Sequence, residues 1–218
     1  MGLFVTFEGP EGGGKSTQIR RLAAHLTERS YEVVVTREPG GTPLGESVRE
    51  LLLGSRHSAM LPETEALLNS ASRAQHVAEI IRPALALGKI VLCDRYLDST
   101  LAYQGAGRGL NIDELTTLQR FATRDLWPDL TFLLDLPVDV GLARRVASGD
   151  PLNRFDADSR AFHDRVRSYF LSAAHADPSR WMVIDASATQ DVVEQDLLAL
   201  TLQRLSDASI APDVDRKR

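Results

Sequence analysis

Gly9-Pro10-Glu11-Gly12-Gly13-Gly14-Lys15-Ser16 decides how the rest of this 218-residue chain is read. The octet fits G-x-x-x-x-G-K-[ST], with an apolar run over residues 3–7 before it and a helical pattern over 15–29 after it. In that setting the glycines let the backbone bend until several N–H groups point into one concavity that phosphate oxygens can fill. Lys15 is expected to reach the β- and γ-phosphates of a nucleotide, and the Ser16 hydroxyl to bind Mg²⁺. Gly9, Gly12, Gly13, Gly14, Lys15, Ser16 and Thr17 form the expected nucleotide-binding set. The motif marks a nucleotide binder without saying what becomes of the phosphate.

Outward from the loop, further apolar runs occupy residues 33–36, 90–93, 130–134 and 181–184. They are nearly continuous in Val, Ile and Leu, the pattern of strands buried on both faces of a parallel sheet. Helical periodicity fills 62–87, 112–124, 138–147, 160–176 and 190–206 between and after them. Strand-then-helix alternation with right-handed crossovers predicts a three-layer α/β domain, a doubly wound parallel five-stranded sheet flanked by helices. One domain is expected over residues 1–208, with a polar tail at 209–218 that frays.

Composition narrows the function classes. No stretch approaches the roughly 18 apolar residues of a membrane span, so a membrane protein is excluded. The N-terminus lacks a basic region, so it reads poorly as a secretory signal. Gly2 and Thr6 fit a loose acylation pattern, but the same residues read better as a core strand. The formal charge of −5 argues against a non-specific nucleic-acid binder. It leaves room for a basic pocket around a small phosphorylated ligand. Cys93, the only cysteine, lies in an apolar run and reads as a small buried hydrophobe in a protein of the reducing cytoplasm.

Chemistry-bearing residues recur where the strands end, which is where open α/β sheets bind ligands. Arg37, after the second strand, is either a phosphate clamp or a surface partner of Glu38. Asp94-Arg95-Tyr96 follows the third; a guanidinium held by the neighbouring carboxylate would be pre-oriented for phosphate, and a structural ion pair is the competing reading. Glu11, inside the loop, either positions Mg²⁺ or a basic side chain, or is simply exposed. Arg73, Ser99, Thr100, Tyr103 and Gln104 suit the edge of a base, or are ordinary polar helix residues. Residues 146–158 form a Gly/Pro/Asp-rich segment containing Arg154 and preceded by Arg144 and Arg145. An arginine-bearing loop of this kind can exclude water and neutralise charge during phosphoryl transfer, or be solvated.

Taken in order, Glu8-Gly9-Pro10-Glu11-Gly12-Gly13-Gly14-Lys15-Ser16-Thr17, Thr36-Arg37-Glu38-Pro39-Gly40-Gly41-Thr42, Ser72-Arg73-Ala74-Gln75-His76, Asp94-Arg95-Tyr96 through Ala102-Tyr103-Gln104-Gly105, and Pro128-Asp129-Leu130-Thr131 through Leu134-Asp135 resemble bacterial thymidylate kinases. The resemblance implies a P-loop kinase fold with a short lid near 147–158. It implies an enzyme that moves the γ-phosphoryl of ATP, with Mg²⁺, to dTMP. Lys15, Ser16 and the loop would hold ATP and Mg²⁺, with Glu11 orienting the acceptor phosphate and its cation or water network. Arg95, assisted by Arg37, would grip the monophosphate, and Glu38 and Pro39 belong to the same substrate-binding set. Arg73 would hydrogen-bond the thymine, and Tyr103 would pack under the deoxyribose and disfavour a 2′-hydroxyl. Gln104, with Ser99 or Thr100, would complete the base pocket. Gly13 together with Arg154 resembles the bacterial branch, in which the lid supplies the transition-state cation. A homodimer through helices packed face to face is also implied.

One position departs from the family. Four residues before Arg73, where an aromatic usually stacks on the thymine, this chain has Asn69. A kinase for another deoxynucleoside monophosphate therefore stays open, as does an ATP-driven switch or binding module. The latter predicts hydrolysis stimulated by a macromolecule and no acceptor-dependent transfer.

Overall fold

The computed structural model describes residues 2–54, 59–149, 155 and 158–212. Five strands, β1 (Leu3–Glu8), β2 (Val33–Arg37), β3 (Ile90–Asp94), β4 (Leu130–Asp135) and β5 (Trp181–Asp185), form one sheet in the order β2-β3-β1-β4-β5. Every neighbouring pair is parallel. Each apolar run predicts its strand to within one residue, the extension being the polar or charged residue at the carboxyl end. That residue is Glu8, Arg37, Asp94 or Asp135 in the four strands nearest the loop.

Burial corrects one part of the sequence reading. β1, β3 and β4 are covered on both faces, but β2 and β5 are edge strands, and Val35 is 49% and Val183 52% exposed. An edge strand lies beyond the helices that cap the middle of a twisted sheet, so an apolar run does not guarantee two covered faces.

The helices form two layers. α1 (Lys15–Glu28) and α9 (Gln190–Asp207) cover one face, where Leu3, Val5 and Phe7 of β1 meet Ile19, Leu22, Leu26, Val193 and Leu197. The opposite face carries α3 (Pro62–His76), which runs through a π-helical turn (Val77–Ile81) into α4 (Arg82–Ala86). It also carries α5 (Leu97–Thr100), its π-helical continuation (Leu101–Gly107), and α6 (Ile112–Thr123). Phe4, Val91, Cys93, Tyr96, Leu97 and Leu115 pack there. Because strand side chains alternate, Phe4 and Glu8 face this second layer while Leu3, Val5 and Phe7 face the first. α7 (Val138–Ala147) and α8 (Arg160–Ala176) complete the set, α8 lying on the Leu101–Gly107 turn through Phe162, Val166 and Phe170.

Two helices go unmarked by the periodicity. α2 (Pro43–Leu53) starts with a Thr42 side chain accepting from Gly45 N–H at 3.0 Å and a proline at its first position. Its tight packing is set by Gly45, where a Cβ would lie 2.6 Å from the Gly40 carbonyl. The segment 97–107 is glycine-rich, yet it is helical because Ile112 and Phe162 crowd Gly105 and Gly107 to within 2.3 and 2.5 Å of where a Cβ would be. These are demands of backbone packing, not of apolar spacing, so a periodicity scan passes over both. Most of the expected lid, Arg154 included, lies outside the described residues, as does the tail from residue 213.

Candidate active site

β1 delivers the chain into the phosphate loop at the carboxyl edge of the sheet, between β3 and β4. Gly9 has φ 132° and a Cβ there would lie 2.5 Å from the Leu134 carbonyl; Gly12 has φ 71° and would meet the Gly141 carbonyl at 2.1 Å. A side chain at either position would push the loop off β4 or off α7. Gly14 then caps α1, and Thr17 and Gln18 N–H bond its carbonyl at 3.1 and 3.0 Å. Lys15 donates to the Gly9 and Pro10 carbonyls at 3.1 and 2.9 Å, which leaves one of its three ammonium protons. Burial and the nearby Arg95 pull the Lys15 ammonium down to about 8, with Glu11, Asp94 and Glu8 acting the other way. Ser16 Oγ donates to Asp94 Oδ2 at 2.5 Å.

Arg95 is the hub. Its backbone is left-handed, φ 67°, rare for a residue with a side chain. The turn swings its guanidinium back over β1, where Nη2 donates to Glu11 Oε1 at 2.9 Å and Nη1 to Gly9 O and Ser99 Oγ at 3.1 and 3.2 Å. The carboxylate that orients Arg95 is therefore Glu11, 84 residues away, not the adjacent Asp94, whose oxygen is engaged by Ser16. Tyr103 OH donates to the same Glu11 oxygen at 2.9 Å, and the Arg95 guanidinium lies 4.9 Å from the Tyr103 ring centroid. Burial alone would raise the Glu11 pKa, but Arg95, Lys15 and the Tyr103 hydroxyl outweigh it and hold the carboxyl at about 2. Glu11 is thus turned to Arg95, while Ser16 faces Asp94, so the two oxygens assigned together to Mg²⁺ from the sequence have different partners.

Glu38 and Arg37 separate at the end of β2. Arg37 is half-exposed and pairs with Glu46 at 2.8 and 3.0 Å, so its surface partner is Glu46, not Glu38. Glu38 turns inward, where one oxygen accepts Arg73 Nε at 2.6 Å and the other His76 Nδ1 at 2.8 Å. The second nitrogen of His76 meets Thr36 Oγ1 at 2.6 Å. Arg73, 2% exposed, also donates through Nη1 to Thr100 Oγ1 at 3.0 Å and to Gln119 Oε1, and through Nη2 to the Tyr96 carbonyl at 3.0 Å. Four of its five donors are taken, leaving one Nη2 proton.

The remaining sequence-chosen residues fall around this frame. Thr100 Oγ1 accepts from Arg73 and Ser99 Oγ accepts from Arg95 while donating to Glu8, and both residues line the smaller pocket. Gln104 is buried and donates to Glu65 Oε1 at 2.5 Å. Asn69 turns its amide to the Glu65 carbonyl of its own helix at 2.9 Å. Pro39 follows a cis peptide bond and its carbonyl accepts Arg49 Nη1 at 2.9 Å.

Two cavities result. A cleft of about 1030 Å³ runs from the phosphate loop past Arg20 to Arg144, Arg145 and the segment 186–190. A smaller pocket of about 130 Å³ is lined by Asn69, Arg73, Tyr103, Gln104, Leu52 and Phe155 among others. Glu11, Glu38, Arg49 and Arg95 line both. Arg49 and Gln119 escape the sequence reading, and Glu8 and His76, though within the quoted motifs, receive no role there. Arg49 lies on the unmarked α2, and the others look like ordinary polar residues until the fold buries them. A polar Gln119 on the core-facing side of α6 is the one signal that pattern reading alone could have found.

Comparison with known proteins agrees with this geometry. The family model described as thymidylate kinase matches residues 7–197. The chain is 61% identical to a thymidylate kinase of Thermomicrobium roseum over 88% of its length and 91% of the relative's. It is 53% identical to one from Pseudomonas putida, over 91% and 94%. A crystal structure of the thymidylate kinase of Ehrlichia chaffeensis superposes with a TM-score of 0.77 at 35% identity, covering 92% of this chain and 98% of that one.

Proposed function

The chain belongs to the thymidylate kinase family and phosphorylates dTMP, and on that premise we propose that ATP is its donor, Mg²⁺ its cofactor, and the two cavities its two nucleotide sites. The observation that carries the assignment is the shared wall. Two nucleotides laid end to end in the cleft and the pocket meet at Glu11, Arg95 and Arg49.

In this reading ATP occupies the large cleft, its phosphates in the loop and its base toward Arg144 and residues 186–190. dTMP occupies the smaller pocket with its phosphate against Arg95. Arg49 joins that clamp, and Arg37 lies at the rim of the cleft. An acceptor phosphate oxygen attacks the γ-phosphorus in line as the bond to the β–γ bridging oxygen breaks, giving dTDP and ADP. No protein nucleophile is needed; catalysis is positioning and neutralisation of charge. Ser16 and Asp94 present hard oxygens side by side at the loop, a donor set that fits Mg²⁺ with its waters and phosphate oxygens. Mg²⁺, when bound there, supplies charge for the β- and γ-oxygens. Glu11 keeps Arg95 aimed at the acceptor, and the free Nη2 proton of Arg73 is available to a thymine carbonyl. Tyr103, fixed by Glu11, closes the sugar side.

The remaining assignments belong to the same proposal. Residues 1–208 form one domain whose lid spans about 147–158. The enzyme is cytoplasmic, as its single buried cysteine suits, and does not bind nucleic acid, as its charge suits. It is a homodimer, supported by exposed Leu51, Leu67 and Phe121 on the neighbouring helices α2, α3 and α6.

The test is a coupled assay of ADP formation with ATP, Mg²⁺ and each nucleoside monophosphate in turn. dTMP should be clearly preferred; equal turnover of another acceptor would overturn the substrate assignment, and ATP hydrolysis independent of any acceptor would overturn the mechanism. Arg154→Ala is expected to lower kcat about 100-fold while changing the dTMP dissociation constant less than about threefold. Equal losses in both would sink the lid-cation role. Asn69→Phe is expected to tighten dTMP by about tenfold, the low part of the range that base–aromatic stacking provides. Calorimetric titration showing no gain would place the stacking partner elsewhere.

A further inference from the structure

β1 ends on a carboxylate that the reaction above does not use. Glu8 is fully buried, on the face that looks toward α5. One of its oxygens accepts the Tyr96 N–H at 2.8 Å and the Ser99 N–H at 3.3 Å, and the other accepts the Ser99 hydroxyl at 2.5 Å. The same hydroxyl oxygen receives Arg95 Nη1. Arg95 N–H bonds the Phe7 carbonyl at 3.0 Å. The last two strand positions before the loop therefore hold the backbone on both sides of the left-handed Arg95, a sparsely populated conformation that persists only where its surroundings over-determine it.

An apolar residue would have ended β1 equally well. Accepting two N–H groups and a hydroxyl at one buried spot requires a group with two acceptor oxygens and no donor, which among side chains means an ionised Asp or Glu. We propose that Glu8 is a positioning residue for phosphoryl transfer, tying the strand that feeds the donor phosphate loop to the backbone at Tyr96 and Ser99 and so fixing Arg95 against the acceptor phosphate. The inference rests on the reading that Arg95 clamps dTMP.

The charged groups around Glu8 give the device a pH signature. Arg95 and Asp98 face it from the α5 side, Lys15 from α1 and Cys93 from β3, while Asp98 is itself paired with Arg180 at 2.7 and 3.0 Å. Burial, then Asp98, push the Glu8 carboxyl up to about 7 against the pull of Arg95, Ser99 and Tyr96 N–H. Ionised, it accepts all three bonds; protonated, it gives one up and stops opposing the Arg95 charge. Activity limited by the dTMP clamp should then fall as pH drops through about 7. The acceptor phosphate contributes a separate step near pH 6.

The experiment compares wild type, Glu8→Gln and Ser99→Ala from pH 5.5 to 8.5, recording kcat and both KM values, with a thermal melt for each variant. Glu8→Gln keeps the shape but sets an NH₂ against Ser99. KM for dTMP should rise about tenfold, KM for ATP should stay within about twofold, and the step near pH 7 should vanish. Ser99→Ala should reproduce the rise in KM for dTMP, and it decides the matter if Glu8→Gln fails to fold. Wild-type values and profile in both variants would overturn the inference, as would equal increases in the two KM values. Calorimetry of dTMP binding to Arg95→Met separates the premises: lost binding there with an unchanged Glu8→Gln enzyme defeats only the inference, whereas retained binding defeats the Arg95 reading itself.

Discussion

Arg95→Met lowers kcat/KM for dTMP by about 10³-fold. The magnitude follows from removing a buried, hydrogen-bonded charge that faces a phosphate, a loss of roughly 2–5 kcal/mol where each 1.4 kcal/mol is tenfold. Methionine keeps much of the length but forfeits the bonds to Glu11, Gly9 O and Ser99 Oγ. A second effect adds to the first. Glu11, held at about 2 largely by Arg95, becomes a carboxylate without its main counter-charge at the junction of the two cavities. It then repels both nucleotides. If Glu11 exists to aim Arg95, Glu11→Gln added to Arg95→Met costs nothing further and restores part of the ATP affinity. Steady-state kinetics across the double-mutant cycle give the answer. Fully additive losses would mean that Glu11 acts on the reaction independently of Arg95.

Glu38→Ala lowers the thermal midpoint by about 10 °C. Its carboxylate is buried and shared between Arg73 and His76, which are buried too. Deleting one partner of a buried pair leaves the other charge uncompensated, a cost of about 3–5 kcal/mol, and at this size 1 kcal/mol moves the midpoint about 2–4 °C. A drop below about 3 °C by differential scanning calorimetry would show that Arg73 is adequately held by Thr100, Gln119 and the Tyr96 carbonyl. Replacing both ends, Glu38→Leu with Arg73→Met, removes the stranded charge, so stability should recover much of the loss. Affinity for dTMP should not recover, because the one Arg73 proton left for the base has gone. This contrast separates the structural part of the cluster from its recognition part.

Sequence by itself determined what depends on local chemistry. Five apolar runs gave five strands because apolar, β-branched stretches favour the pleated sheet, at its edges as well as in its covered middle, and Gly9–Ser16 marked the loop because a close backbone approach to phosphate demands glycine there. The Arg-Glu-Pro-Gly-Gly-Thr and Asp-Arg-Tyr elements likewise brought the site residues to one sheet edge. What only the tertiary structure decided was pairing. Arg95 finds Glu11 rather than Asp94, Arg37 finds Glu46 rather than Glu38, and Glu38 goes to Arg73 and His76. Each choice follows from which side of its strand a residue faces and which crossover brings another element beside it, and neither is written in adjacent residues. The helices 43–53 and 97–107 were hidden for the same reason. Their glycines look like breakers until the flanking Gly40 and Ile112, with Ser72 of α3 and Phe162 of α8, are folded against them and leave no room for anything larger.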